Sequence, residues 1–328
     1  MRWLLLALLL LSLPAIISYA GKGIAQRDRL MFPLGALFFA TGSISLDAAL
    51  ISWPVWPGTA RGIVFSFVDC IAIALIATRR GRVAMPPFLG ICALFLIPMI
   101  VASFNASTKL ASVFSIFQFA QIVLMYFAIA PELARERAIR NLLKGIAVGL
   151  IVQAGFVVQQ KLTGVVQAYG TAAHQNNLGL MVQFGALTLI AATMEGVRSK
   201  LIYAGVVAGA VCIAGGGSRA SIAFFAAGLM LYLAVSLLRR STARKWKIVG
   251  IGVGAALIFV PLTLGTLRDR FGDREIGATD ESREAFERAA RAMADDHPLG
   301  VGPNNFVPIN NTQGYAARAR IEWGGGLL

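Results

Sequence analysis

Charge is scarce in this chain of 328 residues, where Asp, Glu, Lys and Arg make up 14%, against about 25% in soluble domains. Acidic residues are the scarcest, 16 against 30 Lys and Arg. With 57% hydrophobic residues and a mean hydropathy of +0.71, this excludes an ordinary soluble domain and defines a polytopic membrane protein. Cysteine is nearly absent. Cys70, Cys92 and Cys212 all fall inside apolar runs and form no CxxC pair, which excludes a disulfide framework and leaves them as small core residues. The two histidines, His174 and His297, stand 123 positions apart without a metal-ligand spacing, and the chain has no DxD. Neither a metal nor a cofactor is therefore expected. The surplus of positive charge does not imply a nucleic-acid partner, because the Lys and Arg sit in short clusters between apolar runs, where they set membrane topology.

What the chain has in quantity is long apolar runs. They cover residues 3–20, 30–51, 63–78, 88–103, 110–130, 142–160, 177–194, 200–216, 220–238 and 248–267, mostly near the roughly 20 residues that cross the hydrocarbon core. The expected fold is all-α and polytopic, with about ten transmembrane helices over residues 1–267 and a polar, helical loop segment over 268–328. The first run sits behind Arg2 and ends in Ser18-Tyr19-Ala20 like a signal peptide, but the many runs after it favour an uncleaved first helix. Gly145xxxGly149, Gly205xxxGly209 and Gly250xxxGly254 predict close helix packing. The odd connections, counted with Lys144 and Lys200 at the starts of the runs that follow them, hold 17 Lys and Arg and the even ones only Arg61, Lys109, Lys161 and Arg219. That asymmetry places the odd connections in the cytoplasm and the tail outside. It also puts the N-terminus outside, unless one early run, such as 30–51 with its Asp47, fails to span. The tail holds 8 of the basic and 10 of the acidic residues, so the membrane part carries the whole positive excess.

Three polar features face outward on this count. Gly170-Thr171-Ala172-Ala173-His174-Gln175-Asn176-Asn177 precedes a span, so His174, Asn176 and Asn177 offer a helix cap or hydrogen bonds to a sugar or phosphate. Gly215-Gly216-Gly217-Ser218-Arg219 lies between two spans. Its glycines admit close backbone approach, Ser218 can cap the next helix, and Arg219 stands where helix N–H groups favour an anion, or else snorkels to the interface. In the tail, Thr279-Asp280-Glu281 predicts a helix start, with Phe286, Ala289, Ala290 and Met293 as its apolar stripe. Glu284 with Arg288 and Glu287 with Arg291 are i,i+4 pairs on the solvated face. Arg283 stands at the start of the buried face and is expected to point toward the membrane mouth. His297-Pro298-Leu299-Gly300-Val301-Gly302 ends this helix in a turn.

The outward His-Gln-Asn-Asn, the Ser218-Arg219 pair between later spans, and Ser282-Arg283 leading to His297-Pro298-Leu299-Gly300-Val301-Gly302 together resemble the O-antigen ligase and polymerase superfamily. These are bacterial inner-membrane enzymes that use polyprenyl-diphosphate glycans. Over residues 1–140 the resemblance is little more than hydropathy. It implies a GT-C-like, metal-independent glycosyltransferase in the inner membrane with a periplasmic C-terminal loop. It also implies that Arg219 and Arg283 hold the donor diphosphate in the periplasmic mouth. His174, Asn176, Asn177 and Ser218 are the accompanying candidates for substrate binding, and the partners are the polyprenyl-diphosphate glycan, an acceptor glycan or lipid, and membrane lipids. The pattern departs from the family at one point: the His-Asn motif whose His is the proposed base does not occur before Leu328, and His297 matches the turn motif instead. A chain shortened at its C-terminus is the expectation drawn from that departure, and with it doubt over activity. Two other readings stay open, a polysaccharide transporter or flippase drawing on Asp69, Gln118, Gln121, Gln153 and Gln183, and a non-catalytic partner of a polysaccharide assembly machine.

Overall fold

A computed structural model describes residues 2–40, 47–81, 85–250, 253–254 and 273–321. In chain order the elements are α1 (Arg2–Gly21), α2 (Ile24–Phe39), β1 (Asp47–Ser52), β2 (Gly62–Ser66), α3 (Phe67–Ala77), α4 (Leu89–Phe104), α5 (Lys109–Ile129), α6 (Glu136–Leu162), α7 (Gln175–Met194), α8 (Lys200–Gly216) and α9 (Arg219–Arg239). Helices Asp273–Asp296, Phe306–Thr312 and Tyr315–Arg318 make up the tail. The protein is a multi-pass, almost wholly α-helical membrane protein. Among the described residues, five helices are long and apolar enough to cross a membrane: Trp3–Gly21, Lys109–Ala134, Glu136–Leu162, Gln175–Met194 and Arg219–Arg239.

The expected count of ten spans is thus corrected to five. Runs 88–103 and 200–216 form α4 and α8, of 16 and 17 residues. At 1.5 Å per residue these rise about 24–26 Å, short of a hydrocarbon core of about 30 Å. Run 30–51 breaks up, with α2 ending at Phe39 and a strand beginning at Asp47. Run 63–78 is a strand followed by a helix of 11 residues. The two strands form an antiparallel hairpin with Asp47 opposite Ser66 and Ser52 opposite Gly62. Its physical cause is visible in the chain: Leu50-Ile51 on one side and Ile63-Val64-Phe65 on the other flank Trp53-Pro54-Val55-Trp56-Pro57-Gly58, a proline- and glycine-punctuated loop. The switch to helix is made by a capping box, in which Ser66 Oγ accepts from Asp69 N while the Asp69 carboxylate accepts from Ser66 N at 2.7 Å. The tenth run, most of 248–267, and the expected boundary at 267 fall outside the described residues.

The chain divides into two compact units. One comprises Met1–Ile17, Leu46–Pro131 and Arg270–Leu328; the other comprises Ser18–Ser45 and Glu132–Asp269. In the first, Gln121 on α5 donates to Val64 O at 2.7 Å and to Asp69 Oδ2 at 3.0 Å, tying the long helix to the hairpin. Arg79 donates to the carbonyls of Phe127 and Ala128 at 3.0 and 2.9 Å, at the C-terminal end of α5, where a cation suits the unpaired carbonyls.

In the second unit α6 runs through the centre. A Cβ on Gly145 would overlap Phe32 O, and one on Gly149 would lie 2.6 Å from Phe39 Cβ, so only glycine lets α2 approach so closely. Gly205 and Gly209 seat α8 in the same way, 2.6 Å from Ala147 Cβ and 2.7 Å from Ala186 Cβ. Gly250 and Gly254 meet no described atom within 4 Å. A buried ion-pair network closes one end of this packing. Arg27 bonds Glu132, Arg135 bonds both Glu132 and Asp28 (2.7 Å to Asp28), and Arg27, Asp28 and Glu132 are each less than 8% exposed. Arg27, Arg79 and Arg135 were counted above as topology-setting loop charges, yet each is engaged inside its unit.

Removing one partner of a buried pair strands the other charge, at a cost of about 3–5 kcal/mol. Glu132→Ala is therefore expected to lower the melting temperature of the detergent-solubilised protein markedly. Glu136→Ala, which breaks the exposed Arg140–Glu136 pair, should change it by no more than about 0.5 kcal/mol; equal shifts would show that the buried network contributes nothing special.

Candidate functional site

Two of the outward features come together at one end of the second unit. Helix α8 ends at Gly217, which takes the left-handed conformation with φ of 59°, a geometry glycine adopts without strain. The chain then turns straight into α9. Ser218 is its N-cap, buried at 5% exposure, its Oγ accepting from Ser221 N at 3.4 Å and from Ser221 Oγ at 3.1 Å. Arg219 is the first residue of α9 and is exposed. The neighbouring helix α7 begins beside it, because a Cβ on Gly179 would overlap Ser221 Oγ. Gly179 and Ser221 lie in the first two turns of their helices, so two helix starts, each with unpaired N–H groups and the positive end of its dipole, lie side by side.

The loop leading into α7 is held by glutamines. Gln153 of α6, fully buried, donates to Phe39 O at 2.7 Å and Thr171 Oγ1 at 2.5 Å and accepts from Thr171 N at 3.0 Å. Gln160, two turns further on, accepts from the backbone N–H groups of Tyr169 and Gly170, both at 2.9 Å. Ala168 N reaches across to Gly215 O at 3.2 Å, stitching this loop to the glycine turn. His174 is the N-cap of α7, with Nδ1 accepting from Asn176 N at 3.2 Å. Its imidazole is thereby committed to the helix start, and Asn176 and Asn177 stand exposed on the first turn. The structure therefore gathers His174, Asn176, Asn177, Ser218 and Arg219 around one pair of helix ends, with Ser218 and His174 acting as caps.

Arg283 belongs to the other unit and lies exposed on the tail helix. The tail helix begins at Asp273 rather than at the expected Thr279 cap, and its buried stripe is Ala285, Ala289 and Met293 instead of one led by Phe286, which is 37% exposed. Ala289 and Met293 are buried as expected and pack on Ile309, Tyr315 and Ala319, whereas Phe286 and Ala290 lie outside that contact. Arg291 pairs with Glu287 as expected, and Arg288 lies 3.8 Å from Glu284 while also donating to Ala319 O at 3.3 Å. His297 Nε2 is 3.1 Å from Gln313 Oε1. Burial, reinforced by a 2.8 Å hydrogen bond to Asp296, holds the Tyr315 phenol above its usual range. Among the described residues no three of His, Cys, Asp and Glu gather closely enough to share a metal ion.

The turn after His297 contains two residues that the motif reading passed over. Asn304, at φ of 66°, donates through Nδ2 to Ala60 O at 2.7 Å and Ala111 O at 3.1 Å and accepts from Ala60 N at 3.1 Å. Asn305, fully buried, accepts from Thr108 N at 3.1 Å and donates to Ser112 Oγ at 2.9 Å. The pair clips the tail turn to the hairpin loop and to the start of α5. Adjacent Asn residues behind Gly-Pro were the available signal, since Asn tolerates the left-handed region and its amide mimics a backbone pair. Asn305→Ala is expected to destabilise this unit by about 2–4 kcal/mol through several unpaired buried groups, seen as faster limited proteolysis of the tail. For the helix starts, Gly179→Val should force α9 off α7 and abolish whatever binding this end supports while the protein still inserts; full retention of function would show that their proximity is irrelevant.

Residues 204–324 match the O-antigen ligase family (Wzy_C). The match takes in most of α8, the glycine turn, Arg219, the tail helix with Arg283 and the His297 turn, over 121 of the 328 residues. No curated protein and no solved structure matches the chain. The chain is thus a multi-pass membrane protein carrying a stretch similar to the O-antigen ligases, a family-level resemblance to glycan ligases.

Proposed function

We propose that the protein is an inner-membrane glycosyltransferase of the O-antigen ligase or polymerase type, joining a polyprenyl-diphosphate-linked glycan to an acceptor sugar on the periplasmic side. The observation that carries this reading is the convergence of the α7 start on the glycine turn and Arg219 at the head of α9, the turn and Arg219 lying inside the stretch similar to the O-antigen ligases. Helix N-termini and a guanidinium recognise the same chemistry, an anionic oxygen cluster such as a diphosphate. In the reaction the acceptor hydroxyl oxygen attacks the anomeric carbon and gives up its proton to solvent, the bond from that carbon to the diphosphate oxygen breaks, and negative charge grows on the departing polyprenyl diphosphate. Arg219 stabilises that charge as it develops, the role a metal ion plays elsewhere. Asn176 and Asn177 offer amides to the glycan hydroxyls. Arg283, from the tail, is proposed as the second guanidinium serving the leaving group. The tail and the exposed helix starts are placed on the periplasmic face in this reading.

Three of the five polar residues that would support a transporter have other engagements. Gln121 and Gln153 hold backbone segments in place, and Asp69 caps α3. The ligase reading is therefore preferred.

Arg219→Ala is expected to abolish glycan assembly, a loss of at least about 100-fold if the guanidinium stabilises the leaving group as an oxyanion donor does, with the amount of protein in the membrane unchanged. Arg283→Ala should reduce donor turnover, and Arg288→Ala should leave it near wild type. Normal glycan with Arg219→Ala would overturn the reading.

A further inference from the structure

A second cation reaches the same end of the second unit. Lys161 lies in the last turn of α6, where a positive side chain suits the helix C-terminus and needs no further reason. Its position goes beyond that. Its Cε lies 3.8 Å from where a Cβ on Gly215 would sit, so the side chain runs along the glycine turn, and Gly215 precedes Arg219 by four residues. Its Nζ donates to Val166 O at 2.7 Å, in the loop that leads to His174. The loop is itself bonded to Gly215 O through Ala168 N. The ammonium is thus held among the three segments that assemble the anion-binding end: the end of α6, the α7 loop and the turn before Arg219.

We propose that Lys161 is a further cation of the donor site, binding a phosphate oxygen of the polyprenyl diphosphate alongside Arg219 and adding to the charge proposed for Arg283. The inference rests on the assignment of Arg219 to the donor diphosphate. Within the second unit one guanidinium leaves part of the charge of a diphosphate diester unmatched, and an ammonium on a flexible stem can keep its carbonyl partner while donating to a phosphate. Arg219, at the head of α9, answers to charge that grows during the reaction. Lys161, on the neighbouring loop side, answers to charge already present in the bound donor. Its contribution therefore falls on binding rather than on the chemical step.

The test uses the full chain in neutral phosphatidylcholine nanodiscs, with purified polyprenyl-diphosphate glycan as donor and inorganic pyrophosphate as a competing probe. Lys161→Gln keeps a donor for Val166 O but removes the charge. It is expected to raise KM for the donor and the inhibition constant of pyrophosphate by about 10-fold each, with kcat within about twofold, in line with the loss of one charge-assisted hydrogen bond. Lys161→Arg should restore both constants. Unchanged constants in Lys161→Gln, with Arg219→Ala inactive, would overturn the inference and leave the donor-site reading standing. An active Arg219→Ala would overturn that reading as well. A fall in melting temperature and kcat with KM unchanged would make Lys161 a purely structural residue. A Lys161→Gln effect that appears only when phosphatidylglycerol is added would assign the ammonium to lipid headgroups. Either of these last two results would overturn the inference.

Discussion

Everything at the paired starts of α7 and α9 depends on helix backbones that touch where side chains are missing. Gly145 and Gly149 let α2 lie against α6, Gly205 and Gly209 seat α8, and Gly179 brings α7 against Ser221 of α9. In lipid the hydrophobic effect gives little drive for helices to associate, so close van der Waals contact must supply it. The functional consequence is geometric. Once α7 and α9 are in contact near their N-termini, the positive ends of two helix dipoles and Arg219 share one locality.

Polar side chains take over wherever backbone contact does not suffice. Gln153, Gln160, Asn304 and Asn305 each satisfy backbone groups of loops that have no regular partner. The Arg27–Glu132–Arg135–Asp28 network fixes the junction of α2 and α6. These groups are buried or half-buried, and a single hydrogen bond is stronger and an unpaired one costlier the deeper the group lies. The same fact corrects how the charges are to be read. Lys and Arg between apolar runs suggest solvated loops that set orientation, yet Arg27, Arg79 and Arg135 are structural, and the remaining basic residues are the better guide to topology.

Much of the site was legible in the sequence because its parts are local. A glycine run before Ser-Arg, and a His before Gln-Asn-Asn, declare a turn and two capped helix starts whatever surrounds them, and the structure has those caps. The contact between the two was not legible, since it depends on Gly179 meeting Ser221 across 42 positions of chain. The Asn304–Asn305 clip escaped for the same reason: its partners lie nearly 200 residues or more upstream. The hairpin was missed although its signals were local, because Ile, Val and Phe runs serve a strand and a membrane helix equally well. Only the Ser66–Asp69 capping box and the Pro-Gly loop argued for the strand.

By itself the sequence determined that the protein lives in a membrane, where its long helices run, which residues cap α7 and α9, and that Arg219 opens a helix behind a glycine turn. Those properties follow from composition and from interactions within a few residues. The tertiary structure decided that, among the described residues, five helices have the length and hydropathy to span. It decided which arginines are buried in ion pairs, and it placed Lys161 and the α7 loop beside the turn before Arg219. Each of these depends on contacts between segments far apart in the chain. A periodicity or a local motif carries no information about them until the helices have packed.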